Sequence, residues 1–162
     1  MLKAIVLVGL ILAKLTLAAA AAQERSKPAA RRVLLAGSGI STYDSASRAF
    51  VVLATGDVGR LGRLTLKAQG ILAPANLVLS FTGAATLVAD NGDELTGTFE
   101  GTSTTLSGDA DATFLLTITG GSGRFQNASG TMNVIQHGVH ISTHNTLLVY
   151  YDQFTGTGTL SY

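Results

Sequence analysis

The run Thr119-Gly120-Gly121-Ser122-Gly123-Arg124-Phe125-Gln126-Asn127-Ala128-Ser129-Gly130 constrains the fold of this chain more than any other stretch. It joins a strand-like run, 112–119, to another, 131–136, through a glycine-dense corner that holds one aromatic of the buried type. Glycine is required where φ is positive or where two backbones approach closely. Four glycines around a lone Phe125 therefore predict a bend in a closed sheet, with Phe125 as the plug of its core. A phosphate cradle is the competing use of such glycines. It needs a Lys and then a Ser or Thr opening a helix, or a strand, glycines, a helix and an acid about 20 residues on. Arg124-Phe125 and the strand-favouring Thr131, Val134 and Ile135 follow here instead.

The rest of the chain has the same character. Thr, Val, Leu and Gly dominate while Glu and Lys are scarce, which is the wrong composition for surface helices. Strands are expected at 33–40, 49–54, 63–69, 77–89, 94–102, 112–119, 131–136, 139–149 and 154–160. Turn signals separate them, at Tyr43-Asp44-Ser45, Gly56-Asp57, Ala73-Pro74-Ala75-Asn76, Asn91-Gly92-Asp93 and Ser107-Gly108-Asp109. Asn91-Gly92 is the strongest hairpin signal and predicts a type I′ turn with positive φ at both residues. Phe114, Leu116 and Ile118 share one strand face, as do Leu95, Gly97 and Phe99. Eight or nine short strands with no helix fit a closed antiparallel barrel or a sandwich, and glycines inside strands favour the barrel.

The N-terminus bears on compartment. A basic start at Met1-Leu2-Lys3 leads into apolar runs ending in alanines at Ala22, before the polar Gln23-Glu24-Arg25. This layout predicts a secretory signal over residues 1–22 and hence a secreted or periplasmic protein; an uncleaved anchor is the alternative. Lys14 interrupts the apolar run, and a central Lys costs a membrane span about 2.5–3.5 kcal/mol, so no stable span is expected once the signal is removed. Residues 23–31 are expected to form a flexible leader and 32–162 a single domain. Losing Lys3 and Lys14 with residues 1–22 leaves 9 basic and 10 acidic residues, which gives no reason to expect nucleic acid as a partner. The chain has no cysteine, so its core must stabilise it without disulfides.

Three pieces of the sequence carry a family resemblance. Gly59-Arg60-Leu61-Gly62-Arg63-Leu64-Thr65 resembles the strand entry of allene oxide cyclase barrel-like domains. Asp90-Asn91-Gly92-Asp93-Glu94-Leu95-Thr96-Gly97 resembles their hairpin. Residues 119–130 resemble their glycine corner, which plant dirigent proteins share in variant form. The resemblance covers about residues 56–162. It implies a single closed, antiparallel, eight-stranded, calycin-like β-barrel with an apolar interior. Plant members cyclise an epoxide or steer phenoxy-radical coupling, and many exported bacterial members have no assigned activity. The matching motifs are hairpins and corners, so no catalytic residue is carried over.

Candidate chemistry is sparse. His137, His140 and His144 lie close together, but strand alternation puts His140 and His144 on one face and His137 on the other unless Gly138 forms a bulge. No cysteine or further histidine completes a metal site, so these residues are assigned to a solvated face or a barrel rim. Asp90, Asp93, Asp109 and Asp111 lack EF-hand spacing and sit where turns favour Asp. Asn127-Ala128-Ser129 is a glycosylation sequon inside the glycine corner. No Gly-x-Ser-x-Gly elbow anchors a hydrolase triad. Tyr43, Tyr150, Tyr151 and Tyr162 suit core or rim packing. No cofactor is expected.

Two functional classes remain. One is a non-catalytic exported barrel that binds a small apolar ligand or a partner, with a homo-oligomer allowed. The other is a cofactor-free isomerase or cyclase that folds a hydrophobic substrate and expels water. A lumen filled only by Leu, Val, Ile and Phe favours the first. A buried carboxylate or Tyr aimed into the lumen favours the second.

Overall fold

Period-two alternation builds the strands: the inward face is mainly apolar or glycine, and the outward face mixes Thr, Ser and charged residues with exposed apolar ones such as Leu53, Ile71 and Ile135. A computed structural model of the chain describes residues 29–75, 78–104 and 108–162, with residues 74 and 75 described by backbone alone. The expected signal, residues 1–22, and most of the expected leader lie outside the described residues. The strands are β1 (Arg31–Asp44), β2 (Ala49–Val58), β3 (Arg63–Ala75), β4 (Val78–Ala89), β5 (Glu94–Ser103), β6 (Ala110–Gly121), β7 (Ser129–His144) and β8 (Leu147–Ser161). Each pairs antiparallel with the next, and β1 closes on β8 from Arg31↔Leu160 to Asp44↔Leu147. The fold is a closed eight-stranded antiparallel barrel, which decides the expected choice between barrel and sandwich.

Three local expectations are corrected. The nine expected runs are eight strands, because β7 passes straight through Gly138 and the hairpin falls instead at Asn145-Thr146. Asn145 has φ 54°, which a short polar side chain tolerates. Gly56-Asp57 lies within β2, and the chain turns afterwards through a 3-10 segment at Gly59–Leu61. In the Asn91-Gly92 hairpin only Gly92 has positive φ, at 85°. The Gly92 N–H donates to Ala89 O at 2.9 Å, so Asp90 and Asn91 are the central residues. A left-handed glycine following the turn replaces the expected type I′ pair.

Inside the barrel, Phe50, Phe81, Phe99 and Phe114 form a belt of rings, with centroids 5.9–6.1 Å apart in edge-on or tilted contacts. Gly70 and Gly83 are paired beneath it, and a Cβ on Gly70 would stand 2.7 Å from Phe50 Cζ. The glycines thus leave room for the rings. Below the belt the core is filled by Leu64, Leu95, Met132, Val134 and Leu160, all nearly or fully buried.

Candidate functional site

One end of the barrel is a floor knitted from the three motifs of the family resemblance. Phe125 is fully buried there and meets the Tyr162 ring edge-on at 5.5 Å. Ser122 N–H donates to Glu94 O at 2.8 Å, and Glu94 N–H donates to Ser122 Oγ at 3.1 Å. Arg124 spans all three motifs: its Nε lies 3.5 Å from Asp93 Oδ2, its Nη2 donates to Leu61 O at 3.3 Å, and its guanidinium lies over the Phe125 ring. Gly123 has φ 56°, and a Cβ there would collide with the Asp93 carboxylate. These residues build the fold, and none of them lines the two lumen cavities.

The lumen on either side of the belt holds the open space and the buried polar groups. Two adjoining cavities share Phe50, Val52, Phe81 and Gln136. The inner one, of about 50 Å³, is walled by aliphatic residues and rings. The outer one, of about 70 Å³, lies towards the opposite end and is bordered by Ser41, Tyr43, Ser103, Gln136, Tyr150 and Asp152. Asp152 is fully buried. Gln136 Nε2 donates to its Oδ1 at 2.8 Å, and Oδ2 has no hydrogen-bond partner. Among the described residues no cation pairs with it. Burial pushes the Asp152 carboxyl up from the ordinary range near 3.8, against the opposing hydrogen bonds from Ser41 and Gln136. Burial, with the nearby Asp152 charge, likewise pushes the Tyr150 phenol up from 10.0.

Gly138 belongs to this site. It faces Asp152 across the β7–β8 ladder, and a Cβ on it would stand 2.7 Å from Asp152 Oδ1. It is the absent side chain that admits the carboxyl.

The histidines separate differently from the expectation. His137 pairs with the outward Gln153, and its Nδ1 lies 2.7 Å from Asp111 Oδ1, which raises its pKa above 6.5. His140 pairs with the inward Tyr150 and meets that ring edge-on at 5.4 Å. A bulge between His140 and Ser142 then shifts the register, so His144 pairs with the outward Leu147. His140 and His144 therefore do not share a face; the bulge is two residues beyond Gly138. Asp109 Oδ1 accepts the His140 backbone N–H at 3.2 Å, and Asp93 Oδ2 accepts from Asn91 Nδ2 at 2.9 Å. Among the described residues no three His, Cys, Asp or Glu side chains converge. Asn127 is exposed in the turn after Phe125. Tyr43 and Tyr150 face inward, Tyr162 packs on the floor and Tyr151 faces solvent.

Asp152, Gln136 and Ser41 were not anticipated. The signal for Asp152 is the alternation Leu148, Tyr150, Asp152, Phe154, which puts a carboxyl between two aromatics on an apolar face. Ending one strand at 149 and starting the next at 154 hid it in a presumed turn.

Compared with protein-family models and with curated proteins, the sequence matches none.

Proposed function

We propose that the barrel takes up a small, predominantly apolar molecule in its lumen. The observation that carries this reading is the pair of adjoining cavities on either side of the phenylalanine belt, in a lumen whose deeper part is filled by side chains. An engineered apolar cavity of about 150 Å³ takes up benzene, so a one-ring ligand would span both cavities, of about 50 and 70 Å³. The belt supplies faces and edges for stacking, and the outer cavity supplies a few polar groups that fix orientation. The resemblance to allene oxide cyclase barrel-like and dirigent domains supports a scaffold of that kind and supplies no reaction. The basic, apolar and small-residue layout of residues 1–22 supports an exported barrel, which N-terminal mass analysis of the cell-derived protein tests.

A thermal-shift and NMR screen of one-ring terpenoid, phenolic and short fatty-acid-like compounds tests uptake. A ligand at about 100 times its Kd should add about 2.7 kcal/mol to stability. No shift in melting, and no movement of the Phe50, Phe81, Phe99 or Phe114 resonances with any compound, would remove the reading.

Asp152 favours a second reading, the cofactor-free isomerase or cyclase. A buried carboxyl whose pKa burial raises is suited to lend a proton and take it back. Its test is a mass-neutral product, found by chromatography with the wild type and lost in Asp152→Asn.

A further inference from the structure

We infer that Asp152 Oδ2 is a fixed hydrogen-bond post for one acceptor oxygen on an otherwise apolar ligand, making ketones, esters and ethers of one ring the preferred class. This rests on the lumen-binding reading and adds the polar half of the ligand.

The geometry assigns the two oxygens different tasks. Gln136 Nε2 is an amide nitrogen and can only donate, so Oδ1 is committed as an acceptor. A neutral carboxyl with one oxygen so engaged carries its hydrogen on the other. Oδ2 is that other oxygen; it is buried without a partner, and Asp152 is among the residues that line the outer cavity. Burial and the lack of a pairing cation among the described residues favour the neutral form. A buried donor left unpaired is costly, and the complementary group it lacks is an acceptor. Next to it the walls are aromatic and aliphatic, with Phe50, Phe81 and Val52 leading into the inner cavity. The complement of this surface is one oxygen on a small apolar body. A ligand with the same body and no oxygen would bury Oδ2 unsatisfied, which is how a site built around a polar group rejects its apolar isostere.

The test uses acetophenone and α-methylstyrene, which differ by an oxygen against a CH2 group at one position. Their affinities for the full chain are measured by NMR titration, in the wild type, Asp152→Leu and Asp152→Asn. The expected result is acetophenone binding the wild type about tenfold tighter, the scale of one buried hydrogen bond. The preference should vanish in Asp152→Leu and survive in Asp152→Asn, whose amide keeps both an acceptor for Gln136 and a donor for the ligand. A measurement on the wild type alone covers the case in which Asp152→Leu does not fold. The carbonyl carbon of 13C-labelled acetophenone should move downfield on binding, as it does on accepting a hydrogen bond. Equal affinities for the two ligands, or a preference unchanged in Asp152→Leu, would overturn the post and leave lumen binding intact. If neither ligand binds the wild type, the post falls, and lumen binding is decided by the wider compound screen.

Discussion

Phe125 and Asp152 are both fully buried, and they bear on stability in opposite ways. Phe125 fills the floor against Tyr162, so Phe125→Ala removes a ring and leaves a cavity. We expect a loss of about 3–5 kcal/mol, read from urea unfolding; an unchanged midpoint would mean that the ring is dispensable. Asp152 holds its proton more tightly in the folded chain than in the unfolded one. Between the unfolded value near 3.8 and the higher folded value, the native state binds more protons. Its contribution to stability therefore falls as pH rises through that window, and is flat above it. Asp152→Asn, which keeps the Gln136 bond, should gain on the wild type as pH rises and be the more stable at neutral pH. The other groups near Asp152, namely Tyr43, Tyr150 and His140, are common to both proteins, as is the distant His137–Asp111 pair, so the difference between urea midpoints isolates Asp152. A difference that does not change with pH would show that folding leaves the Asp152 carboxyl unshifted. The buried ring was legible from one aromatic among glycines. The buried acid was not, because Asp is depleted from strands and Asp152-Gln153 resembles a turn until the ladder to β7 is known.

At the scale of elements, most strands were legible because Thr, Val and Leu alternate with small residues. The errors fell where glycine has two meanings. Gly138 passes for a strand breaker, yet it lies inside β7 to make room for the Asp152 carboxyl. Gly138→Ala should therefore disturb the Asp152 and Gln136 side-chain resonances and lower stability, while leaving the floor resonances of Phe125 unchanged. A variant with an unperturbed Asp152 would refute that role. Gly92 and Gly123 both have positive φ, but only Gly123 has the Asp93 carboxylate where a Cβ would go. Gly123→Ala should cost more than the roughly 1–2 kcal/mol of a left-handed alanine, and Gly92→Ala no more than that. Thermal denaturation of the two variants compares them directly. The bulge between His140 and Ser142 was not legible, since no proline, glycine or aspartate marks it.

For the whole molecule, strand content follows from composition and turn spacing and the closed barrel from glycines inside strands and the resemblance, while the occupant of the lumen depends on side-chain positions that only the closed sheet fixes. Far-UV circular dichroism should show a β spectrum without a helical double minimum. Removing β8, from Leu147 onward, opens the ladders to both β1 and β7 and should abolish cooperative unfolding. The closure of β1 on β8 has a wider implication. Every strand neighbours the ones before and after it in sequence, and Arg31 lies opposite Leu160, so the ring of strands has no topological first member. A circular permutant that links 161 to 31 through a short glycine-serine segment and is cut between Asp90 and Asn91 would keep all eight ladders. Its slowest-exchanging amides should be those of the parent barrel, whichever strand is synthesised first.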